Sequence, residues 1–242
     1  MSASTSRTAV LLPGTGSDAR FLEKAFATSL LGDEVTVIRV DPDPADLIAS
    51  YRRALDAAAG PDTIVGGVSL GASVALRWAA RRPGGCAAVI AALPAWTGPP
   101  GEAPAAVSAR VTADMLDEIG LERSIETMTA GSPPWLAAEL TRSWRAQWPD
   151  LPAALREAAG YAGPSPAELA AVTVPVAVIA GSDDPVHPLP VARQWCAQLP
   201  VADLSTLTLD ELGADPGRLG TLALAALERL NTGNGRGRAA DE

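Results

Sequence analysis

Short apolar, β-branched runs alternate along this chain with segments whose apolar side chains recur at helical spacing, and no other feature constrains the fold as much. Residues 8–12, 35–40, 63–69, 87–93, 174–180 and 204–209 read as strands. Residues 18–29 (with Ser17 or Asp18 as cap), 45–59, 70–81, 191–199 and 216–230 read as helices. Strand alternating with helix implies the α/β class, with a mostly parallel sheet and helices on both faces. Ligands in such sheets gather at the carboxyl ends of the strands. Ser69, Asp184 and the turn Gly14-Thr15-Gly16 all fall at those ends.

The pattern changes between Trp96 and about Ala171. Residues 103–119, 121–128, 134–148 and 151–161 read as successive helices with no strand between them, punctuated by proline and glycine. The expected organisation is a sheet core over 1–96 and 172–230, a helical cap insertion over 97–171 lying on the active edge of the sheet, and a tail over 231–242. That tail is rich in Gly, Asn and Arg, has nothing to bury and is expected to be disordered.

Bulk properties remove several classes of function. A length of 242 residues with 48% hydrophobic content fits one domain with a large core. No apolar run is long enough to cross a bilayer, and the polar segment Met1 to Arg7 lacks the core of a signal peptide, so a cytoplasmic protein without a membrane partner is expected. A net charge of −9 disfavours nucleic acid as a partner. Cys86 and Cys196 read as buried free thiols, and a single histidine without a neighbouring Cys/His cluster implies no metal. No organic cofactor is implied. The expected partner is a small apolar or ester-type molecule, and the protein is expected to be a monomer or a homodimer.

The chemistry centres on Gly67-Val68-Ser69-Leu70-Gly71, a G-x-S-x-G pattern between an expected strand and an expected helix. With that placement and the helical insertion, most of the chain resembles an α/β-hydrolase-fold protein. The resemblance implies a strained, exposed Ser69 at a nucleophile elbow. It also implies an oxyanion hole built from the backbone N–H groups of Leu70 and of Thr15, in the turn Pro13-Gly14-Thr15-Gly16-Ser17. That turn is not a P-loop, because no Gly-Lys-Ser/Thr follows it. Gly181-Ser182-Asp183-Asp184-Pro185-Val186-His187-Pro188 resembles the family's acid loop, which makes Asp184 the residue that orients an imidazole, with Asp183 the less favoured neighbour. Either acid would otherwise cap the helix that begins near Pro188.

The chain departs from that pattern at the base. Similar proteins carry the catalytic histidine in the loop after the last strand, where this chain has Asp215. Asp215 reads either as a partner of Asp184 in a shared-proton pair or as the N-cap of the last helix, ahead of Pro216. His187 is the sole imidazole. It either reaches Ser69 as the base, oriented by Asp184, Asp183 or Asp215, or only shapes the pocket.

Trp96, Trp135 and Trp144, together with Gly14, are candidates to line a substrate pocket; the simpler reading of the tryptophans, Trp148 included, is glue between lid helices. Arg142 and Arg145 would meet a carboxylate or solvent. Three functions therefore stand open. The first is a serine hydrolase acting on a carboxylic ester or thioester with a non-standard or incomplete triad. The others are a non-catalytic small-ligand-binding protein and a lyase-type enzyme that uses Asp184 and Asp215.

Overall fold

The computed structural model describes residues 7–27 and 35–238. Its strands are β1 (Arg7–Leu12), β2 (Val35–Ile38), β3 (Thr63–Val68), β4 (Ala88–Ala92), β5 (Val176–Gly181) and β6 (Ala202–Leu207). They form one six-stranded sheet in the order β2-β1-β3-β4-β5-β6, and every neighbouring pair is parallel. The sheet grows to one side of β1 with β2 and to the other with β3. The carboxyl ends of β1 and β3 therefore border the switch point at which crevices form in such sheets.

Strands β3, β4 and β5 are near-continuously apolar because both faces are covered, whereas the edge strand β6 is mostly half-buried and carries Asp203, Ser205 and Thr206. Alternate residues go to opposite sides. Val10, Leu12, Val65, Val89 and Val178 join one cluster, while Ala9, Leu11, Ile64, Ile90 and Ile179 join another. The first cluster is closed by α2 (Leu47–Ala58), α3 (Leu70–Ala80) and α9 (Leu189–Gln198). The second is closed by α1 (Ala19–Leu22), the π-helical turn Glu23–Ala27 that continues it, α10 (Leu209–Ala214) and α11 (Arg218–Arg238). Asp18 caps α1 by accepting the Phe21 N–H at 3.1 Å. The expected helix over 18–29 is thus a short α-helix passing into a π turn, and residues 28 and 29 lie outside the described residues.

Between β4 and β5 the chain leaves the sheet and builds α4 (Pro104–Ile119), α5 (Leu121–Gly131), α6 (Pro134–Gln147), α7 (Leu151–Gly160) and α8 (Pro166–Ala170). Ala113, Leu116, Ile125, Trp144, Leu151 and Leu155 form this insertion's own core. Its two connecting segments pair with each other: the Gly98 N–H donates to Pro164 O, and the Gly163 N–H to Gly98 O. From α7, Glu157 accepts the Leu47 and Ile48 N–H groups at 3.0 and 3.2 Å. It thereby caps α2 from outside, because Asp46 makes no cap hydrogen bond of its own.

Several elements differ from the sequence reading. Helix α8 lies where the sequence reading assigns no element and α10 where it places a loop, and each opens with a reciprocal capping box, Ser165 with Glu168 and Thr208 with Glu211. Helix α11 runs on through Arg238, into the 231–242 tail that the sequence reading expects to be disordered, and residues 239–242 lie outside the described residues. An established helix needs only one further hydrogen bond per residue to extend. Cys86 is buried, which pushes its thiol up to about 11, whereas Cys196 is only half-buried. Among the described residues no helix is long and apolar enough to cross a membrane.

The tightest packing lies where α3 starts against the end of β1. A Cβ on Gly71 would stand 2.1 Å from the Leu12 carbonyl oxygen, and one on Gly67 would stand 2.3 Å from the same atom. Gly71→Ala should therefore lower the urea unfolding midpoint by the equivalent of about 2–3 kcal/mol. Gly131→Ala, whose added methyl meets open space, should stay within about 0.5 kcal/mol of the parent. Equal midpoints for the two variants would refute the packing argument.

Candidate active site

Ser69 sits at the turn between β3 and α3 with φ 53° and ψ −111°, a left-handed conformation unusual for a side-chain-bearing residue. Such backbone costs on the order of 1–3 kcal/mol and persists only where its surroundings hold it. Here the Ser69 N–H donates to Ala92 O at 2.8 Å, and its carbonyl accepts the Ser73 N–H at 3.1 Å. The first ties the turn to β4 and the second to α3. The side chain is thereby presented at the carboxyl edge of the sheet, beside Gly14, where an added Cβ would lie 3.5 Å from that of Ser69.

Asp184 and His187 lie in the loop that follows β5. One oxygen of Asp184, Oδ1, accepts the backbone N–H groups of Val186 at 2.8 Å and His187 at 3.1 Å. This folds the loop over its own carboxylate. The other oxygen, Oδ2, meets His187 Nδ1 at 2.8 Å. His187 Nε2 then lies 2.9 Å from Ser69 Oγ. An ionised carboxylate can only accept, so Nδ1 carries the proton and Nε2 is left with a lone pair facing the Ser69 hydroxyl. The three side chains form one continuous chain of hydrogen bonds. Ser69 and His187 are separated by 118 positions in sequence, and Asp184 and His187 by three.

Asp184 is almost enclosed, with 6% of its side chain exposed. Burial pushes its carboxyl upward, but the hydrogen bond and charge of His187 and the two backbone N–H groups outweigh that and hold it below the usual carboxylate range.

Asp215 is elsewhere. It ends α10, and its carboxylate accepts the Gly217 N–H at 2.9 Å while its carbonyl accepts the Arg218 N–H. It makes no hydrogen bond to Ser69, Asp184 or His187; of its two readings the pair with Asp184 is not formed, and its carboxylate instead accepts a backbone N–H just past Pro216, as the capping reading has it. The place expected to carry a loop histidine is occupied by a capped helical turn. Asp183 holds that turn by accepting the Leu209 N–H at 2.8 Å.

The aromatic candidates separate in the same way. Trp144 packs over the turn after β1, where an added Cβ on Gly16 would lie 3.1 Å from its Nε1. Trp96 instead donates its indole N–H to Tyr161 O at 3.1 Å and packs with Ala95 and Ala106, which places it in the base of the insertion. Trp135 lies against Gly213 of α10. Arg142 meets a carboxylate of the protein itself: its Nη2 contacts both oxygens of Asp18, at 2.7 and 2.8 Å. Two residues that the sequence reading passed over also reach the turn from α6. Ser143 donates to Gly16 O and Gln147 to Ser17 O. Their spacing of four puts both on one face of the helix with Trp144, which was the signal available in the sequence. A cavity of about 700 Å³ opens along α6 beside Thr129, Ser132, Thr141 and Arg145, and contains none of the three hydrogen-bonded residues. Among the described residues no group of three or more His, Cys, Asp or Glu side chains is placed to hold a metal ion.

A parallel sheet, a strained serine after β3 and a carboxylate–imidazole pair after β5 agree with the sequence profile described as "Alpha/beta hydrolase family", which matches residues 6–216. The chain belongs to the alpha/beta hydrolase family. The chain is similar in structure to MenH from S. aureus, with a TM-score of 0.73 at 18% identity over 95% of this chain and 96% of the other. It is similar also to the enol-lactonase from Burkholderia xenovorans LB400, with a TM-score of 0.65 at 16% identity over 92% and 93%. A third similar structure is a thermophilic esterase from Thermogutta terrifontis, with a TM-score of 0.61 at 18% identity over 98% and 90%. At these identities the likeness is one of fold. No curated protein matches the sequence significantly.

The depressed pKa of Asp184 gives the protein a pH-dependent contribution to stability. Because the folded value lies below the unfolded one, the contribution is present above about pH 3.9 and is lost as pH falls through the folded value. Asp184→Asn should therefore be less stable than the parent at pH 7, and the gap should shrink as pH falls below about 4. Urea unfolding of both proteins across that range checks it, and a gap that does not change with pH would count against the assignment.

Proposed function

We propose that this chain is a serine hydrolase that cleaves a carboxylic ester or thioester, with Ser69 as nucleophile, His187 as base and Asp184 as the group that orients the imidazole. The observation that carries this reading is the unbroken hydrogen-bond chain from Ser69 Oγ through His187 to Asp184. Its 2.9 Å serine–imidazole distance is inside the range required for proton transfer. The esterase and the enol-lactonase among the similar structures support ester chemistry as the class.

In this mechanism Nε2 takes the hydroxyl proton as Ser69 Oγ attacks the substrate carbonyl carbon. Negative charge then develops on the carbonyl oxygen. Two backbone N–H groups are the candidates to meet it. Leu70 is the first residue of α3 and has no partner one turn back in the helix, and the N–H of Thr15 has no partner among the described residues. The imidazolium, stabilised by Asp184, returns its proton to the leaving oxygen or sulfur as the tetrahedral intermediate collapses to an acyl-enzyme. Water then gives a proton to Nε2 and attacks the acyl carbon, and Ser69 leaves with that proton. The helical insertion serves as the cap that covers this reaction. A binding-only role required an imidazole out of reach of the serine, and a carboxylate-pair lyase required Asp215 beside Asp184; the geometry offers support for neither.

Covalent labelling with a fluorophosphonate, read by intact mass and peptide mapping, tests the proposal. The parent should label at Ser69. His187→Ala should label on the order of 10³-fold more slowly, and Asp215→Asn should label at the parental rate. A folded parent that does not label, or a His187→Ala variant that labels as fast as the parent, would overturn it.

A further inference from the structure

We infer that Ser143 and Gln147, on the insertion helix α6, are positioning residues that aim the Thr15 N–H at the substrate's developing oxyanion. The inference rests on the serine hydrolase reading above. It begins with where the buried polar side chains of the insertion are directed. Ser143 is 1% exposed and Gln147 5%. Polar groups so enclosed are costly unless they are fully bonded, so what they bond to is informative.

Neither is used within the insertion's own core. Ser143 Oγ donates to the carbonyl of Gly16, 127 positions away. Gln147 Nε2 donates to the carbonyl of Ser17 at 3.0 Å, 130 positions away, and to Ser143 Oγ at 2.9 Å. The amide thus orients the hydroxyl, the hydroxyl holds Gly16, and the second amide hydrogen holds Ser17. Trp144, between them in sequence, lies against Gly16.

The element gripped this way is a tight turn. The Ser17 N–H donates to Gly14 O at 3.0 Å, and Gly16 has φ +70°. Gly14 abuts Ser69 at one end of the turn, and α6 holds the carbonyls at the other. Thr15 lies between. The Gly16 carbonyl that Ser143 holds shares its peptide plane with the Ser17 N–H, which bonds the Gly14 carbonyl, and that carbonyl shares its plane with the Thr15 N–H, so the grip of α6 is passed to the Thr15 N–H through two rigid peptide groups. An oxyanion donor is useful only when fixed before the charge develops, and an error of about 1 Å can cost on the order of 10²-fold in rate.

An alternative role for the same bonds is to anchor the insertion to the sheet domain. Glu157 separates the two roles. It anchors the insertion equally, through the N-terminus of α2, but does not contact the turn.

The experiment measures turnover of p-nitrophenyl acetate, inhibition by a boronic acid that forms a tetrahedral adduct on serine, and melting temperature. The proteins compared are the parent, Ser143→Ala, Ser143→Thr, Gln147→Leu and Glu157→Gln. The expected result is a kcat loss of roughly 10- to 100-fold for Ser143→Ala and Gln147→Leu with KM little changed, and a parallel loss of boronate affinity. Ser143→Thr, which keeps the hydroxyl, should recover most of both. Glu157→Gln should melt at a lower temperature yet keep parental kcat. Parental kcat and boronate affinity in folded Ser143→Ala and Gln147→Leu would overturn the inference, as would a kcat loss in Glu157→Gln equal to theirs. A parent that neither turns over ester nor labels at Ser69 would instead remove the hydrolase reading on which it rests.

Discussion

The close approach of α3 to the end of β1 is the constraint on which the site depends. Gly67 and Gly71 flank Ser69, and any side chain at either position would strike the carbonyl of Leu12. Their lack of a Cβ allows β3 to turn directly into α3 against the neighbouring strand. The cost appears as the left-handed backbone of Ser69 itself. That conformation is held by hydrogen bonds to Ala92 and Ser73, from β4 and α3. The geometry of Ser69 is therefore fixed by the packing of the fully buried strand β3 and the helix that follows it.

The second half of the site obeys a different logic. Asp184 and His187 are three residues apart and share one turn, whose backbone N–H groups are bonded to the same carboxylate that orients the ring. Bringing two groups together over so short a loop costs little chain entropy. The charge of Asp184 is satisfied by the turn and by the imidazole at once, which is why its burial does not raise its pKa. The long-range requirement is that this turn project from β5 toward the end of β3. Strand β4 lies between them, and Leu93, just beyond it, donates its N–H to Ile179 of β5 at 2.7 Å while Ser69 is bonded to Ala92. The same strand that holds the serine elbow thus also ties down the neighbour that carries the histidine loop.

What was legible in the sequence follows from these two regimes. The alternation of strands and helices reports burial, which period and composition express directly, and it gave the parallel sheet and the serine turn. Elbow glycines are legible because no other residue fits there. The direction of His187 was not. A spacing of three from Asp184 permits a ring stacked away from the serine as readily as one facing it, and the choice is made by the two backbone bonds to Asp184 Oδ1. Asp215 drew attention because it occupies a position expected to hold histidine, yet the local signal there was structural: Thr208-Leu209-Asp210-Glu211 is a capping box, which starts a helix and leaves Asp215 at its end. Trp96 and Trp144 look alike in sequence. The pairing of residue 98 with residues 163 and 164 and the indole bond to Tyr161 put the first at the base of the insertion, and the contact of the second with Gly16 puts it over the turn beside Ser69.

The insertion meets the sheet domain through the same economy of polar groups. A cap needed only to exclude water could rest on apolar contacts, which tolerate sliding. Helix α6 instead meets the turn after β1 with directional bonds from Ser143 and Gln147, and it pairs Arg142 with Asp18, the residue that caps α1. Lys24, in the π turn that continues α1, pairs with Glu139 of α6. Directional bonds lose most of their value with small displacements, so α6 and the turn behave as one body, in contrast to a surface and its cover. Displacing α6 far enough to admit a bulky substrate would break buried hydrogen bonds at Ser143 and Gln147 and leave their partners unsatisfied, a cost of about 1–3 kcal/mol for each group stranded. The α6 side of the insertion is therefore held in one place against the turn after β1 that adjoins Ser69.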